Sequence, residues 1–387
     1  MRHGHCTITP SVVRSLARQA LQRTLDWQPY GRLVRVPVLL DLLLLAAALG
    51  SSLSAVVRRF LFGFSHETAR QAVAANLPAR DELTDGLLDA LYSFGGRARR
   101  RRRWVVAIDV HLSPFYGARS TPDLVGGKKK QGTKYFYGYA TAVLVHQRHR
   151  YTVALAALTG RELPHEVVAA LLDQMATRGL KVRGVVLDAG FDSGAVLLLL
   201  QERGLSYALP LQRKGRGNNR RNACWLLDVG AVTTVAWRTD RTRRPVSTQA
   251  VVVQRRRDKE KKVYAFGGWQ VDEAWSLVRR ARLAKRWYGK RFGIETSYRQ
   301  MNQAKATTTK KDTVYRLLLV GLALLLRQVW VWLTWQVARA RGLRPRHGVG
   351  ELPLAHLCAW LADLLKRKYK EEKVIQLESP LLLLDSP

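Results

Sequence analysis

An α/β fold, one mixed sheet with helices on both faces preceded by an all-helical segment, is what this sequence predicts. Three observations lead there. Residues 104–108 and 185–187 are short continuous apolar runs, the pattern of strands buried on both faces. Between and after such runs lie helical periodicities closed by glycine, at 164–177 before Gly179 and 193–203 before Gly204. Residues 1 to about 95 carry helical spacing throughout.

Each element follows in order. Residues 38–49 are apolar, Gly50-Ser51-Ser52 interrupts them, and 53–61 resume helical periodicity. Gly63-Phe64-Ser65 then forms a turn, with Ser65 as N-cap of a helix reaching Ala75. Helix, short glycine-containing turn and polar-faced helix make a helix-turn-helix pattern, in which His66, Thr68, Arg70 and Gln71 would face a DNA groove. An ordinary helical hairpin is the alternative. Gly95-Gly96, Arg97 and residues 99–103 read as a basic linker, setting the first boundary at residue 103. Strand-like runs follow at 104–108, 134–145 and 151–158, the last two joined as a hairpin through 147–150. The helix at 164–177, a strand at 185–187, the helix at 193–203 and a strand at 207–211 complete the order βββαβαβ. That order matches the ribonuclease-H-like fold. Residues 212–269 are Arg-rich with strand-like stretches at 231–237, 246–253 and 262–266, and read as a β insertion. The second part of the same unit spans 270–340, helical over 272–302 and apolar over 317–337. A C-terminal segment, 341–387, holds one more helix at 354–366.

Charge limits the function classes. Lys and Arg total 65 against 29 Asp and Glu, a formal net charge of +36. Self-repulsion on that scale opposes a compact state unless a polyanion neutralises it, which points to nucleic acid. A cationic membrane-surface protein would gather its basic residues on amphipathic helices, whereas here they spread over every segment. The run 317–337 is long enough to span a bilayer, but Arg327 and Gln328 divide it, so a buried helix is expected and no membrane partner. Cys6, Cys224 and Cys358 are isolated, without CxxC spacing, which suits a reducing cytoplasm and gives neither disulfides nor a zinc site. His3, His5 and Cys6 cluster at the start, where a frayed terminus is the simpler reading than a metal site. Arg and Asp punctuate the first forty residues, unlike a signal peptide.

Two acids stand where chemistry would sit. Asp109 directly follows the first buried strand and Asp188 the fourth. In the expected fold those strands are parallel neighbours, so their carboxyl ends lie together at the ligand-binding edge of the sheet. Paired carboxylates repel unless a cation lies between them, and oxygen-only ligation suits Mg2+ or Mn2+. Asp192 is the rival for the second position, but Asp192-Ser193 opens a helix and reads as its cap. For a third acid, Tyr288, Arg291 and Glu295 recur at i, i+3 and i+7 on one helix face, with Arg299 and Asn302 near it. A carboxylate flanked by such groups suits a bound scissile phosphate, although an exposed charged stripe has the same spacing.

These residues resemble the signature of DDE transposases of the insertion-sequence-four type: Tyr, two residues, Arg, three residues, Glu, six residues, Lys. Tyr288, Arg291 and Glu295 match it, whereas position 302 is Asn, so Arg299 or Lys305 would stand in for the lysine. The family's Asp-x-Gly-Phe motif is similar to Asp188-Ala189-Gly190-Phe191, and its first Asp to Asp109 with Pro114 to Gly117 downstream. The likeness covers roughly 104–340. It implies cut-and-paste transposition, with Asp109 and Asp188 holding one Mg2+ or Mn2+ ion and Asp109 with Glu295 the other. It further implies double-stranded DNA as partner, at transposon ends and target, a homodimer pairing two ends, and a place on a bacterial or archaeal nucleoid. Members can form a DNA hairpin with a Trp stacked on a flipped base, a role for which Trp269 is the candidate. A ribonuclease-H-like nuclease that cuts without joining, or a catalytically silent DNA-binding relative, is the alternative.

Overall fold

The structure is a computed structural model, and it describes residues 7–95, 102–145, 150–213, 222–239, 242–254, 260–268, 276–342 and 352–371. His3, His5, Cys6, most of the basic linker, the 146–149 connection and Trp269 lie outside the described residues.

Apolar strands organise the centre. β1 (Arg103–Phe115) pairs antiparallel with β3 (Thr133–Leu144), which pairs with β4 (Thr152–Leu158) on its far edge. On its other side β1 runs parallel to β5 (Lys181–Leu187), and β5 parallel to β6 (Ser206–Leu211). The spatial order β4-β3-β1-β5-β6 is that of a ribonuclease-H-like core, a mixed sheet with helices on both faces. Two parallel neighbours require crossovers, supplied by α6 (Pro164–Thr177) and α7 (Gly194–Glu202). Each helix forms for a local reason. Pro164 stands at the start of α6, and Glu166 reaches back to the Leu163 amide at 2.8 Å. Ser193 caps α7 by accepting from the Val196 amide.

The sheet does not stop at β6. Strands β7 (Val232–Arg238), β8 (Pro245–Val253) and β9 (Lys262–Gly267) extend it in the order β6-β9-β8-β7, every new pairing antiparallel. The Arg-rich stretch is therefore a continuation of the central sheet. A further short strand, β2 (Val125–Lys130), carries Gly126, Gly127 and three lysines, gives no strand signal in sequence, and borrows the edge of β3 beyond the end of β4.

Helices complete the core. Among the described residues, five precede the sheet: α1 (Pro10–Thr24), α2 (Val36–Leu49), α3 (Leu53–Arg59), α4 (His66–Ala75) and α5 (Arg80–Tyr92). Among the same residues four follow it: α8 (Leu277–Gly289), α9 (Phe292–Gln303), α10 (Thr313–Ala340) and α11 (Leu354–Tyr369). The apolar α10 is long enough to cross a membrane by length and composition, yet it is buried within the fold, packed on α1, α2, α5 and β4. Its Gly321 lets α5 approach closely, since a Cβ there would meet the Leu87 side chain at 2.4 Å. Arg327, 1% exposed in mid-α10, bonds Gln300, Ser297 and the Arg150 carbonyl, and so ties α9 and the start of β4 to this central helix. Asp41 on α2 is wholly buried and accepts from Arg14, Lys368 and Tyr369, fastening α2 to α1 and α11.

Candidate active site

Register brings the first two acids together. Ile108 and Leu187 are partners in the parallel β1–β5 pair, so Asp109 and Asp188 are each the next residue along adjacent strands. The expectation that Asp109 follows its strand needs correction: β1 continues to Phe115, and Asp109 lies inside it opposite Thr141. The strand changes character at that point, buried on both faces before Asp109 and half-buried after it, so the apolar run ends while the strand does not. Asp188 does leave its strand, entering a short 3₁₀ turn, Ala189–Phe191, anchored by the buried Phe191 ring.

Glu295 arrives on α9. Tyr288, Arg291 and Glu295 do not share one continuous α-helix, as the spacing suggests. α8 ends at Gly289, and the junction closes through i to i−3 bonds, Arg291 N–H to the Tyr288 carbonyl at 2.8 Å and Ile294 N–H to the Arg291 carbonyl at 2.7 Å. The tightened turn keeps the three side chains close all the same. The Arg291 guanidinium lies 5.5 Å from the centre of the Tyr288 ring and 3.1 Å from Glu295 Oε1. A Cβ at Gly293 would fall 0.5 Å from Nη1 of Arg150, so only a glycine leaves room for this guanidinium where it crosses the first turn of α9 to bond the Lys290 carbonyl.

All three acids converge on Arg291. Its Nη1 stands 3.4 Å from Asp109 Oδ2, and its Nη2 lies 3.4 Å from Asp188 Oδ1 and 3.1 Å from Glu295 Oε1. The guanidinium is buried (6% exposed), Asp109 is nearly so (15%), and Asp188 and Glu295 open to solvent at 43% and 49%. Burial, then the charge of Asp188, pushes the Asp109 carboxyl up to about 6; Arg291 and the Val110 amide work against that rise. The negative charge of this cluster thus exceeds what the single guanidinium compensates. Three oxygen-bearing acids around a cation are the donor set for a hard divalent ion. Among the described residues, however, no three acids stand close enough to share one ion with Arg291 between them.

A row of side chains missed in the sequence extends the site. Asp109, His111 and Ser113 alternate along β1 and so face the same way, toward α9 and the segment after it. Tyr298 on α9 donates to the Asp109 carbonyl at 2.9 Å, shares a 2.8 Å hydrogen bond with Thr141, and packs 5.0 Å from the His111 ring. Lys305 donates to Ser113 Oγ at 3.2 Å, and Ser113 lies 3.4 Å from His111 Nε2. Burial, reinforced by Lys305 and Lys130, pushes His111 down to about 4, so at neutral pH its imidazole is uncharged and can accept the Ser113 proton. Burial, with Arg316 nearby, also lowers the Lys305 ammonium. Strand periodicity counted onward from Asp109 is the signal that points to His111 and Ser113.

The other sequence-derived residues fall in three places. Tyr288 is buried against Tyr264, ring centres 4.6 Å apart, with its hydroxyl pushed up to about 12 by burial. Arg299 and Asn302 are exposed on α9, and neither bonds the three acids. His66, Thr68, Arg70 and Gln71 lie on α4, away from the acids: Arg58 meets His66, Arg70 pairs with Glu67, and Gln71 accepts from the Tyr30 hydroxyl. Ser65 caps α4 as expected. Asp192 is a correction. Ser193, not Asp192, caps α7; Asp192 is 3% exposed and accepts from the Gln212 amide at 2.7 Å, fixing the exit of β6.

Comparison with known proteins bears on the family and the fold. Residues 100–326, more than half of the chain, match the family model described as "Transposase DDE domain". No curated protein matches the sequence. A cryo-electron microscopy structure of a piggyBac transposase synaptic complex with hairpin DNA is similar in fold, with TM-score 0.55 at 12% identity. The likeness covers 97% of this chain and 84% of that one.

Proposed function

Because the chain belongs to the family of transposases with a DDE domain, we propose that it is a cut-and-paste DNA transposase of the insertion-sequence-four type. Its catalytic acids are then Asp109, Asp188 and Glu295. One observation carries the reading: acids from β1, from the end of β5 and from α9 all reach a single buried guanidinium within 3.4 Å.

Asp109 with Asp188 would hold one Mg2+ ion and Asp109 with Glu295 a second, with Mn2+ as substitute. Bound there, the ions would activate a water or 3′-hydroxyl for in-line attack on a phosphodiester and stabilise the departing oxygen. The chain's own groups do the rest. Asp109, the deepest of the three acids, is held at its carboxylate by the Val110 amide and Arg291, and at its backbone carbonyl by Tyr298, so it has little freedom to turn away. Arg291, braced on the Tyr288 ring, keeps its buried planar fork among the three carboxylates and so holds them together. Lys305 takes the part of the signature lysine absent at Asn302: it enters the same face of β1 through Ser113, whereas Arg299 and Asn302 sit outward and would grip flanking backbone. The His66 to Gln71 edge of α4 would read a groove of the same duplex. A homodimer would pair two transposon ends on the nucleoid.

The test is cleavage of DNA bearing the element's own ends. Asp109→Ala, Asp188→Ala and Glu295→Ala should each abolish strand cleavage while binding to the same DNA persists. Cleavage at near wild-type rate in any one of them removes that residue from the triad.

A further inference from the structure

Between the N-terminal helices and the segment leaving α9 runs a groove of about 470 Å³. Ser52, Ser54 and Arg70 line one side, and Thr307, Thr309 and Lys310 the other; none of its described lining residues is acidic. A backbone hydrogen bond, Thr307 N–H to the Ser51 carbonyl at 3.2 Å, ties the two sides together. The geometry points to a binding site for backbone phosphates of duplex DNA on its way to the three acids. This inference rests on the transposase reading and adds to it the surface that Arg70 shares with the segment leaving α9.

The orientation of the backbone carries the argument. Arg316 donates to the Lys310 carbonyl at 2.6 Å and to the Thr308 carbonyl at 3.2 Å, and the Tyr137 hydroxyl donates to the Lys311 carbonyl at 3.1 Å. The protein thereby takes up the acceptors of this segment. In trans peptides the next N–H points opposite to each carbonyl, so the amides of Thr309 and Lys311 are turned away from Arg316. The Lys310 amide between them donates to Thr308 Oγ1 at 3.0 Å, so these two amides alternate along the segment and each would meet an anion separately. Hydroxyls reinforce them: Ser52 accepts from the Ala55 amide yet keeps its own proton to donate. The two cations are only loosely committed. Arg70 pairs with Glu67 at 60% and 46% exposure, and Lys310 with Asp312 at 31% and 38%. Surface pairs of this kind contribute little and yield to a phosphate.

Position along the chain connects the groove to the site. Thr307 lies two residues after Lys305, which bonds Ser113, and Ser113 lies four residues along β1 from Asp109. At about 3.3 Å per strand residue that is ~13 Å, or roughly four steps of one DNA strand. A duplex with its scissile phosphate at the acids would lay neighbouring phosphates over Lys305 and then the groove.

The experiment uses the full chain and a fluorescent duplex of arbitrary sequence, with affinity measured by anisotropy across a salt series. Arg70→Ala and Lys310→Ala should each flatten the slope of log affinity against log salt by about 0.9. That is an approximately eightfold smaller gain for each tenfold dilution of salt. Thr307→Val with Thr309→Val should weaken binding without changing the slope. Arg367→Ala, which removes an exposed cation on α11, is the charge-matched control and should leave the slope unchanged. Groove variants that behave like the control overturn the inference and leave the transposase reading standing. A wild-type chain that binds no duplex at all overturns both.

Discussion

The substitution Asp109→Asn should abolish cleavage and at the same time make the metal-free protein more stable. The Asp109 side chain is only 15% exposed, and burial together with Asp188 lifts its carboxyl from the ordinary 3.8 to about 6. At 1.36 kcal/mol per decade of acidity, that rise disfavours the ionised native state by about 3 kcal/mol. The native pKa lies above the unfolded one, so the folded chain holds the proton more tightly. The stability contributed by protonation is complete below about pH 4, declines as pH rises through about 6, and is gone above that. The substituted amide cannot ionise, and its oxygen can still accept from the Val110 amide that bonds Asp109 Oδ1 at 2.8 Å. It loses only the attraction of Arg291, 3.4 Å away. At pH 8 the variant should therefore exceed wild type by up to about 3 kcal/mol, or ~4 °C in melting temperature for a chain of this size. At pH 4 the two should coincide.

Thermal melting of both proteins at pH 4, 6 and 8, with and without Mg2+, checks this directly. Added Mg2+ should raise the melting temperature of wild type at pH 8 and do little for Asp109→Asn. A variant no more stable than wild type at pH 8, or a difference indifferent to pH, refutes the argument that burial and Asp188 together disfavour the ionised Asp109 carboxylate.

Three further outcomes follow from the packing around the site. Asp41→Ala should cost about 1–3 kcal/mol, read as a lower denaturation midpoint, because the buried Tyr369 hydroxyl loses its acceptor while Arg14 and Lys368, 20% and 42% exposed, turn to water. Burial raises the Asp41 pKa but its partners outweigh that and lower it, so its contribution should be lost on acidification below about pH 3.8. Gly293→Ala should displace Arg150 or shift α9, lowering cleavage without weakening DNA binding, and Arg150→Ala in the same chain should restore part of the loss. Arg327→Ala should destabilise by about 3–5 kcal/mol, since it leaves Ser297, Gln300 and the Arg150 carbonyl without their donor in the core; cleavage should fall as α9 loosens.

Which features can be read in advance depends on whether their cause is local. The helix Pro164–Thr177, the Ser65 cap and the strand ending at Leu187 have causes within a few residues, and they stand where the periodicity places them. The strand β2 has no such cause: Gly126, Gly127 and Lys128–Lys130 disfavour sheet, and only the free edge of β3 makes them extended. β1 reads too short in the sequence for a related reason. An apolar run reports burial on both faces, and beyond Ile108 only one face is covered, so the polar alternation Asp109, His111, Ser113 looks like the end of the strand.

The same distinction divides the site. Asp109 and Asp188 are legible because packing alone rarely sets an acid at the same level of two parallel neighbouring strands, and the register of Ile108 with Leu187 bears out their adjacency. The place of Arg291 is not legible. Spacing sets it on a stripe facing outward toward a phosphate, whereas it is 5% exposed and turned in among the acids. The reason is electrostatic and lies in no local pattern. Three carboxylates, one of them nearly buried, cannot lie within a few ångströms of one another without a cation among them. The tightened turn at 290–291 delivers the only guanidinium that bonds all three among the described residues. His111 and Ser113 are hidden for the complementary reason: their partners, Tyr298 and Lys305, lie nearly two hundred residues away in sequence and become neighbours only when α9 crosses β1. The sequence names Arg291 beside the acids, but only the folded register of β1, β5 and α9 sets it between them.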